Sequence, residues 1–286
     1  MEPGRPSATA FRVAMRRAAH QVLDEPRVLD DPIALRIIGS ERVQQIRTEP
    51  RLYDSAFARR LRAFLVGRSR YAEDLLAVAV AGGVRQYVVL GAGLDTFAYR
   101  NPLGSLRVFE VDHPSTQAWK RELLEKTRIP VPANVSYVPV DFHTQTLGSE
   151  MPAHGFAPGE PAFFSWLGVT MYLEDAAVRG TLAWIAQTVP AGGVVFDYAI
   201  AKSRLNWFER WVWGAMAKRV AAVGEPWRAT FDPRELVPAM HAMGYAAVEH
   251  LGPREMDARY FAGRSDRLRV GSLAAMVHGR IERPGP

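Results

Sequence analysis

The stretch from Gln86 to Asp112, QYVVLGAGLDTFAYRNPLGSLRVFEVD, constrains the fold more than any other part of the chain. An apolar run meets a glycine pair, Gly91 and Gly93, and a second apolar run ends at an acid. This pattern is typical of the strand, tight turn and second strand that open a nucleotide-binding βαβ unit. The third glycine of the dinucleotide fingerprint is absent, because Thr96 stands at that position.

Strand and helix patterns alternate through the rest of the chain. Apolar runs bounded by turn residues predict strands at residues 87–90, 106–112, 135–141, 162–168, 192–199, 246–251 and 272–281. Helical patterns between them predict helices at about 114–126, 174–189 and 231–244. The alternation predicts an α/β, Rossmann-like fold with a mostly parallel sheet and helices on both faces.

The first 80 residues carry helical periodicity instead. Helices are predicted at about 8–23, from Pro32 through IALRIIGSERVQQI, and at about 52–80. We therefore predict one domain over residues 1–286, with an N-terminal helical cap at 1–83, an α/β core at 84–286 and a helical insertion at about 203–223.

Charge and composition narrow the class of protein. The net charge is +6, and the first 70 residues account for it, since they hold 14 arginines against 8 acids. There is no basic stripe with interleaved aromatic residues, no cysteine, no apolar run of membrane-spanning length and no compact metal-ligand cluster. The N-terminus also lacks the apolar region of a secretory signal. We expect a cytoplasmic protein that binds no metal, nucleic acid or membrane.

Four segments follow directly after predicted strands. They are Gly91–Asp95, Asp112, Asp141–Phe142 and Ser165–Gly168. The carboxyl ends of parallel strands meet at one edge of a sheet, which is where such folds bind their ligands. We therefore predict one binding site built from all four segments.

The acids of this edge favour a nucleoside without a phosphate group. Asp95 would repel a pyrophosphate but suits a cationic ligand, and Asp112 lies 21 residues after Gly91, the spacing of an acid that binds ribose hydroxyls. A strand-end acid or a helix cap is the alternative for Asp112. Asp141 can accept from an adenine amine while Phe142 packs on the ring. These features indicate S-adenosylmethionine (SAM), and they disfavour a nicotinamide dinucleotide.

The carboxylate of a methionine tail needs a cationic partner. Arginine suits it because a guanidinium pairs with a carboxylate through two hydrogen bonds. Arg68, on the long helix before the first strand, is the first candidate, and Arg17 is the second. Either is open to the alternative of an ordinary helical surface charge. Glu110, two residues before Asp112, is a candidate to share the ribose.

Several motifs together resemble the leucine carboxyl methyltransferase family of class I methyltransferases. They are TAFRVAMRRAAHQVLDEPRVLDDPIA, GRSRYAED, VVLGAGLDTFAYR, FEVDHP, PVDF, FSWLGVTMYL and RYFAGR, which together span almost the whole chain. The resemblance leans towards bacterial members such as the polyketide O-methyltransferases of the tetracenomycin type. It implies that Arg68 holds the methionine carboxylate of SAM, that Gly91 and Gly93 line the cofactor, and that Asp112 binds the ribose. It also implies that Asp141 and Phe142 lie at the adenine.

One position departs from the family pattern. Family members commonly have a glutamate after the fourth strand, where this chain has Leu167. The function expected is SAM-dependent O-methylation of a carboxyl or hydroxyl group on a small aromatic or polyketide-like metabolite, in secondary metabolism. The alternatives are a SAM-binding protein with a non-methylating role, a protein carboxyl methyltransferase and an NAD-dependent oxidoreductase.

No catalytic residue follows from the sequence, since an ionised carboxylate acceptor needs no base while a hydroxyl acceptor benefits from one. Candidate bases are His113 and His143, each of which is open to a purely structural role. Tyr172 and Tyr198 are candidates to line the acceptor. The aromatic residues of the insertion suit either a lid over a flat acceptor or core packing; they are Trp207, Phe208, Trp211 and Trp213.

Overall fold

The central sheet has the mostly parallel arrangement predicted. The computed structural model describes residues 8–141, 144–221 and 227–283. Within these residues seven strands form the sheet: β1 (Gln86–Leu90), β2 (Arg107–Asp112), β3 (Val135–Pro139), β4 (Ala162–Trp166), β5 (Ala191–Ala199), β6 (Ala247–Leu251) and β7 (Ala274–Glu282). Their order is β3-β2-β1-β4-β5-β7-β6. Strands β1 to β5 run parallel to one another, and β7 is antiparallel between β5 and β6.

The strand order reverses between β1 and β4. From β1 the chain moves outwards to β2 and β3 and then returns to β4 on the other side of β1. The register pairs Val88 with Phe109 of β2 and with Phe164 of β4. Open α/β sheets bind ligands at such a switch point, in the crevice beyond the carboxyl ends of the strands. That crevice lies at Gly91 and at the residues that follow Trp166.

The described helices are α1 (Ala8–Leu23), α2 (Pro32–Ile37), α3 (Ser40–Thr48), α4 (Ala56–Ala81), α5 (Pro114–Lys126), α6 (Leu147–Ala153), α7 (Asp175–Thr188), α8 (Trp207–Ala221), α9 (Pro233–Ala242) and α10 (Pro253–Tyr260). The helix predicted from Pro32 is divided into α2 and α3, because Gly39 takes a left-handed conformation with φ of 86°. The predicted end of the insertion, at about 223, lies outside the described residues. The short helices α6 and α10 were not predicted.

Buried side chains alternate between the two faces of the sheet. Tyr87 and Val89 of β1 pack with apolar residues of α1, α2 and α4, whereas Val88 and Leu90 pack with those of α7 and α9. This period of two is the consequence of strand geometry, and it confirms that helices cover both faces. No helix among the described residues is both long and apolar enough to cross a bilayer.

A buried ionic cluster joins α1 to α4. The guanidinium of Arg62 donates two hydrogen bonds to the carboxylate of Asp24, over 2.7 and 2.8 Å. Nδ1 of His20 lies 2.8 Å from the same carboxylate, while its Nε2 accepts from the N–H of Val28 at 3.0 Å. Because Nε2 is an acceptor, the Nδ1 proton is the one that the histidine donates to Asp24. Buried ion pairs and hydrogen bonds therefore connect α1 to α4 within the cap.

Candidate functional site

The turn after β1 requires glycine at two positions. Gly91 has φ of 67° and Gly93 has φ of 46°. A Cβ atom on Gly91 would lie 2.4 Å from Cγ2 of Val169, and one on Gly93 would lie 3.2 Å from Cβ of Ala10. The N–H of Gly91 donates to the carbonyl oxygen of Val111 over 2.8 Å, which joins the turn to β2. The turn therefore lies between β2, the segment after β4 and the helix α1.

Asp112 lies beside this turn, at the carboxyl end of β2. Its carboxylate accepts from the N–H of Gly93 at 2.6 Å and from the N–H of His113 at 2.7 Å. Burial raises the pKa of Asp112, and these two N–H donors act against that rise. The spacing from Gly91 thus places the acid at the turn, as expected, and its ribose-binding role stays a prediction. Glu110 does not share this position, because it is buried against Lys120, with 2.7 Å between Oε2 and Nζ.

Asp95 already has a cationic partner within the protein. One oxygen accepts from Nη1 of Arg17 at 2.9 Å, and the other accepts from the N–H of Phe97 at 2.8 Å. Burial alone would raise the pKa of Asp95, but Arg17 and the other nearby cations hold it at about 2. Asp95 is therefore ionised at the turn, and any cofactor contact would be additional to its pairing with Arg17.

Arg17, the second candidate for the methionine carboxylate, is enclosed. Its Nη2 donates to Asp31 over 2.6 Å and to Oγ1 of Thr96 over 2.8 Å. All three side chains are buried. Arg17 thus joins the cap to the turn, and Arg68 is the stronger candidate for the cofactor carboxylate.

Arg68 reaches the carboxyl ends of β4 and β5 from the middle of α4. Its Nη1 donates to Oδ2 of Asp197 over 2.7 Å, and Oδ1 of Asp197 accepts from the N–H of Gly168 at 2.5 Å. A Cβ atom on Gly168 would lie 2.8 Å from Nη2 of Arg68, and φ of Gly168 is 76°. The absence of a side chain on Gly168 therefore lets the backbone pack against the guanidinium that Asp197 holds in place.

Asp197 is the site residue that sequence reasoning missed. It sits within the apolar strand GGVVFDYA and is fully buried, facing α4. A lone acid in a buried strand is the signal that could have revealed it, because buried acids need a partner. Leu167, which replaces the family glutamate, is half-buried and packs against the apolar core. The turn after β4 contacts the carboxylate of Asp197, through the N–H of Gly168, and not a glutamate at position 167.

Asp141 lies two residues beyond the end of β3. Register pairs Pro139 with Asp112, so Asp141 is at the same edge of the sheet. Its carbonyl oxygen accepts from the N–H of Thr144 at 3.0 Å and from that of Gln145 at 2.8 Å, which forms a turn. Phe142 and His143 lie outside the described residues. The adenine-binding role of Asp141 and Phe142 stays a prediction.

The helical insertion also belongs to this edge. The N–H of Ala201, after β5, donates to the carbonyl oxygen of Phe231, and the N–H of Arg228 donates over 2.7 Å to that of Met171, just after β4. Both ends of the segment that carries α8 are therefore fixed beside the crevice. Tyr172, half-buried, lies in the same turn as Met171.

The aromatic residues of α8 divide into two groups. Trp213 is buried, with its ring centroid 5.2 Å from that of Trp227 and with Nζ of Lys202 3.9 Å from the ring centroid. Trp207 is 81% exposed and Trp211 is 69% exposed. The structure thus assigns core packing to Trp213 alone. Tyr198 is also fully buried, so it lines the core and not an acceptor.

Comparison with known proteins identifies a family model and several relatives that match this chain. The model of the leucine carboxyl methyltransferase family matches residues 10–186. YktD of Bacillus subtilis (strain 168), provisionally named an S-adenosyl-L-methionine-dependent methyltransferase, is 31% identical over 308 residues, which cover 97% of this chain and 99% of YktD. A Frankia alni protein with the same provisional description is 34% identical over 197 residues, covering 67% of this chain and 68% of its own.

A crystal structure shares the fold at low identity. It is of a Thermobifida fusca YX protein described provisionally as a methyltransferase, with a TM-score of 0.58, 15% identity and coverage of 98% of this chain and 97% of its own. The family match includes the cap, the glycine turn and the segment after β4. The chain belongs to the leucine carboxyl methyltransferase family.

Proposed function

We propose that this protein transfers the methyl group of SAM to an oxygen of a small apolar acceptor, with a carboxylate as the first candidate and a hydroxyl as the second. The chain is a SAM-dependent methyltransferase by its family and its relatives. The proposal concerns the atom that is methylated and the kind of molecule that carries it. Its main support is a set of exposed apolar side chains on segments near the crevice.

The residues of the crevice fit the cofactor. Gly91 and Gly93 give the turn its positive φ angles and its close packing, and Asp112 would offer a carboxylate to ribose hydroxyls. Arg68 is nearly buried and is held by Asp197, and its guanidinium lies where a side chain on Gly168 would clash. These groups would hold the nucleoside and the methionine tail, with Asp141 and Phe142 at the adenine.

The chemistry asks little of the protein beyond alignment. When bound, SAM supplies an electrophilic methyl carbon, which the acceptor oxygen attacks as the carbon–sulfur bond breaks and sulfur keeps the electron pair. Arg68, Asp112 and the glycine turn would fix the position of the tail and the nucleoside. The exposed apolar side chains near the crevice would exclude water and orient the acceptor, which is a proximity effect.

The hydrogen bonding of His113 favours an acceptor that needs no general base, because the nitrogen that could accept a proton already caps a helix. Its Nδ1 lies 3.2 Å from the N–H of Ser115, from which it accepts as the N-cap of α5, and 2.8 Å from Oγ of the same residue. In the neutral form the proton is then on Nε2, so that nitrogen donates and does not accept a proton. A carboxylate is already ionised at neutral pH, which removes the need for proton transfer.

Two segments near the crevice carry exposed apolar side chains, the one that contains α8 and the one that leads into α4. Arg68 contacts Asp197 near the carboxyl end of β5, and the 12 residues of α4 before Arg68 form about 18 Å of helix. Seven large apolar side chains are exposed in the described part of the chain. Five of them lie on α8, at the start of α4 or in the segment just before α4, and we call these five the apolar rim: Leu52, Phe57, Trp207, Phe208 and Trp211.

Exposed aromatic groups of this size fit a flat apolar body. The ring centroid of Phe208 lies 5.9 Å from that of Trp207 and 6.3 Å from that of Trp211, and a contiguous apolar surface of this kind usually marks a binding site. We therefore propose an aromatic, polyketide-like carboxylic acid as the acceptor. A hydroxyl of the same kind of molecule is the second candidate.

The proposal is tested by transfer of a trideuteriomethyl group from labelled SAM. Aromatic carboxylic acids, phenols of matched size and the corresponding amides are each incubated with the protein and followed by mass spectrometry. We expect the acids to gain the label as methyl esters, which alkaline hydrolysis removes. Transfer to nitrogen would contradict the proposal. Binding of S-adenosylhomocysteine (SAH) without transfer to any acceptor would favour the non-methylating alternative, which the loss of the family glutamate at Leu167 leaves open.

A further inference from the structure

A buried polar cluster joins the N-terminal cap to the glycine turn. Its centre is Arg17 of α1, which donates to Asp31 ahead of α2 over 2.6 Å and to Asp95 over 2.9 Å. Asp31 is fully buried and also lies 3.2 Å from Nε of Arg100, which pairs with Glu73 of α4. Three cap helices and the turn thus meet in one set of charges.

Thr96 occupies the position of the third fingerprint glycine for a reason that the cluster explains. Its Oγ1 lies 2.7 and 2.8 Å from the two carboxylate oxygens of Asp31 and accepts from Nη2 of Arg17 at 2.8 Å. A hydroxyl carries one proton, so it donates to Asp31 while it accepts from Arg17. A glycine at this position would remove the bond to the cap.

The turn is held from two sides. On the side of β2, the N–H of Gly91 donates to Val111 and the N–H of Gly93 donates to Asp112. On the side of the cap, Arg17 holds Asp95 and Thr96. Because Gly93 lies between these anchors and donates directly to Asp112, a shift of the turn would also move a hydrogen bond of that carboxylate.

We propose that Arg17 and Thr96 are positioning residues, which hold the Gly91–Thr96 turn and the Asp112 carboxylate in the geometry that binds the cofactor. The helical cap then contributes to cofactor binding by holding this turn in place. The inference rests on cofactor binding at this edge and is independent of which acceptor is methylated.

The test compares Thr96→Val, which removes the hydroxyl at nearly constant volume, with Thr96→Ser, which keeps it. Thr188→Val is the matched control, because Oγ1 of Thr188 also donates a hydrogen bond, to the carbonyl oxygen of Trp184 over 2.7 Å, at the far end of α7. Calorimetric titration with SAH gives the dissociation constant of each variant, and urea unfolding gives its stability.

We expect Thr96→Val to weaken SAH binding about tenfold, the equivalent of one buried hydrogen bond, and Thr96→Ser to stay within about twofold of the wild type. Thr188→Val should bind SAH as the wild type does. Hydrogen exchange should quicken in the 91–96 segment of Thr96→Val. Arg17→Lys, which keeps the charge but loses the fork, should also weaken binding; if it fails to fold, the threonine series decides.

A purely structural role would lower the stability of Thr96→Val without changing SAH affinity at temperatures where the variant is folded, and that result would overturn the inference. An equal loss of affinity in Thr188→Val would overturn it as well. Titration with SAH needs no acceptor, so a failure to find O-methylation leaves this test unaffected. A wild-type protein that does not bind SAH would refute the cofactor site itself.

Discussion

Asp197→Ala is expected to lower the free energy of unfolding by about 3–5 kcal/mol. The side chain of Asp197 is fully buried, that of Arg68 is 8% exposed, and 2.7 Å separates Oδ2 from Nη1. Removing the carboxylate leaves the guanidinium without its counter-charge and takes the acceptor from the N–H of Gly168. A buried, unpaired charge is costly because neither water nor protein solvates it. The loss would be a large part of the stability of an ordinary domain.

A double-mutant cycle measures the pairing itself. Urea unfolding, followed by tryptophan fluorescence, is compared for the wild type, Asp197→Ala, Arg68→Met and the double variant at constant slope. Since Arg68→Met removes the charge that Asp197→Ala would leave unpaired, the two changes together should cost about 2–3 kcal/mol less than their sum.

An exposed ion pair provides the control. Arg107 and Glu160 are 2.8 Å apart, but their side chains are 44% and 56% exposed. Glu160→Ala should therefore cost at most about 1 kcal/mol. The reasoning is refuted if Asp197→Ala costs no more than this, or if its effect adds to that of Arg68→Met without coupling.

Three further results are expected from urea unfolding. Burial alone would raise the pKa of Asp24, but its hydrogen bonds hold that pKa at about 2. Asp24→Asn should therefore lower the free energy of unfolding by about 2 kcal/mol at pH 7, and this loss should disappear as the pH falls from about 4 to about 2. A loss that stays constant with pH would contradict this. Gly91→Ala should lower the free energy of unfolding by about 2–4 kcal/mol, because φ of Gly91 is positive and the added methyl group would clash with Val169. Adding Val169→Ala to this variant should recover the part of the loss that is due to the clash. An unchanged loss would show that Val169 does not contact this position. Trp213→Ala should lower the free energy of unfolding by about 3–5 kcal/mol, because Trp213 is buried. Trp207 is 81% exposed, so Trp207→Ala should cost less than about 0.5 kcal/mol. Equal losses would contradict the assignment of Trp213 to the core.

The parts of the site that sequence predicted are those that local pattern determines. Gly91, Gly93 and Asp112 follow directly after β1 and β2, and parallel neighbours necessarily bring their carboxyl ends together. The helix starting at Pro32 was predicted, but its break was not, because a glycine within a helical pattern does not reveal its own φ. The helices α6 and α10 have 7 and 8 residues, too few for a clear period.

The pairings across the site could not be predicted. Arg68 and Asp197 are 129 residues apart in the chain, and Arg17 and Thr96 are 79 apart. No local period connects such residues, because only the folded sheet and the packing of α1 and α4 bring them together. The sequence thus indicated which arginines were candidates for the cofactor carboxylate. The choice of Arg68 over Arg17 depends on the carboxylates that surround each arginine in the folded structure.

A crystal structure with SAH bound tests the central claim most directly. The account predicts that the nucleoside lies against the Gly91–Gly93 turn, that the ribose hydroxyls donate to Asp112, and that the carboxylate of the tail pairs with Arg68 beside Gly168. An SAH molecule bound away from this edge, or one whose carboxylate has a different partner while Arg68 contacts Asp197 alone, would contradict it.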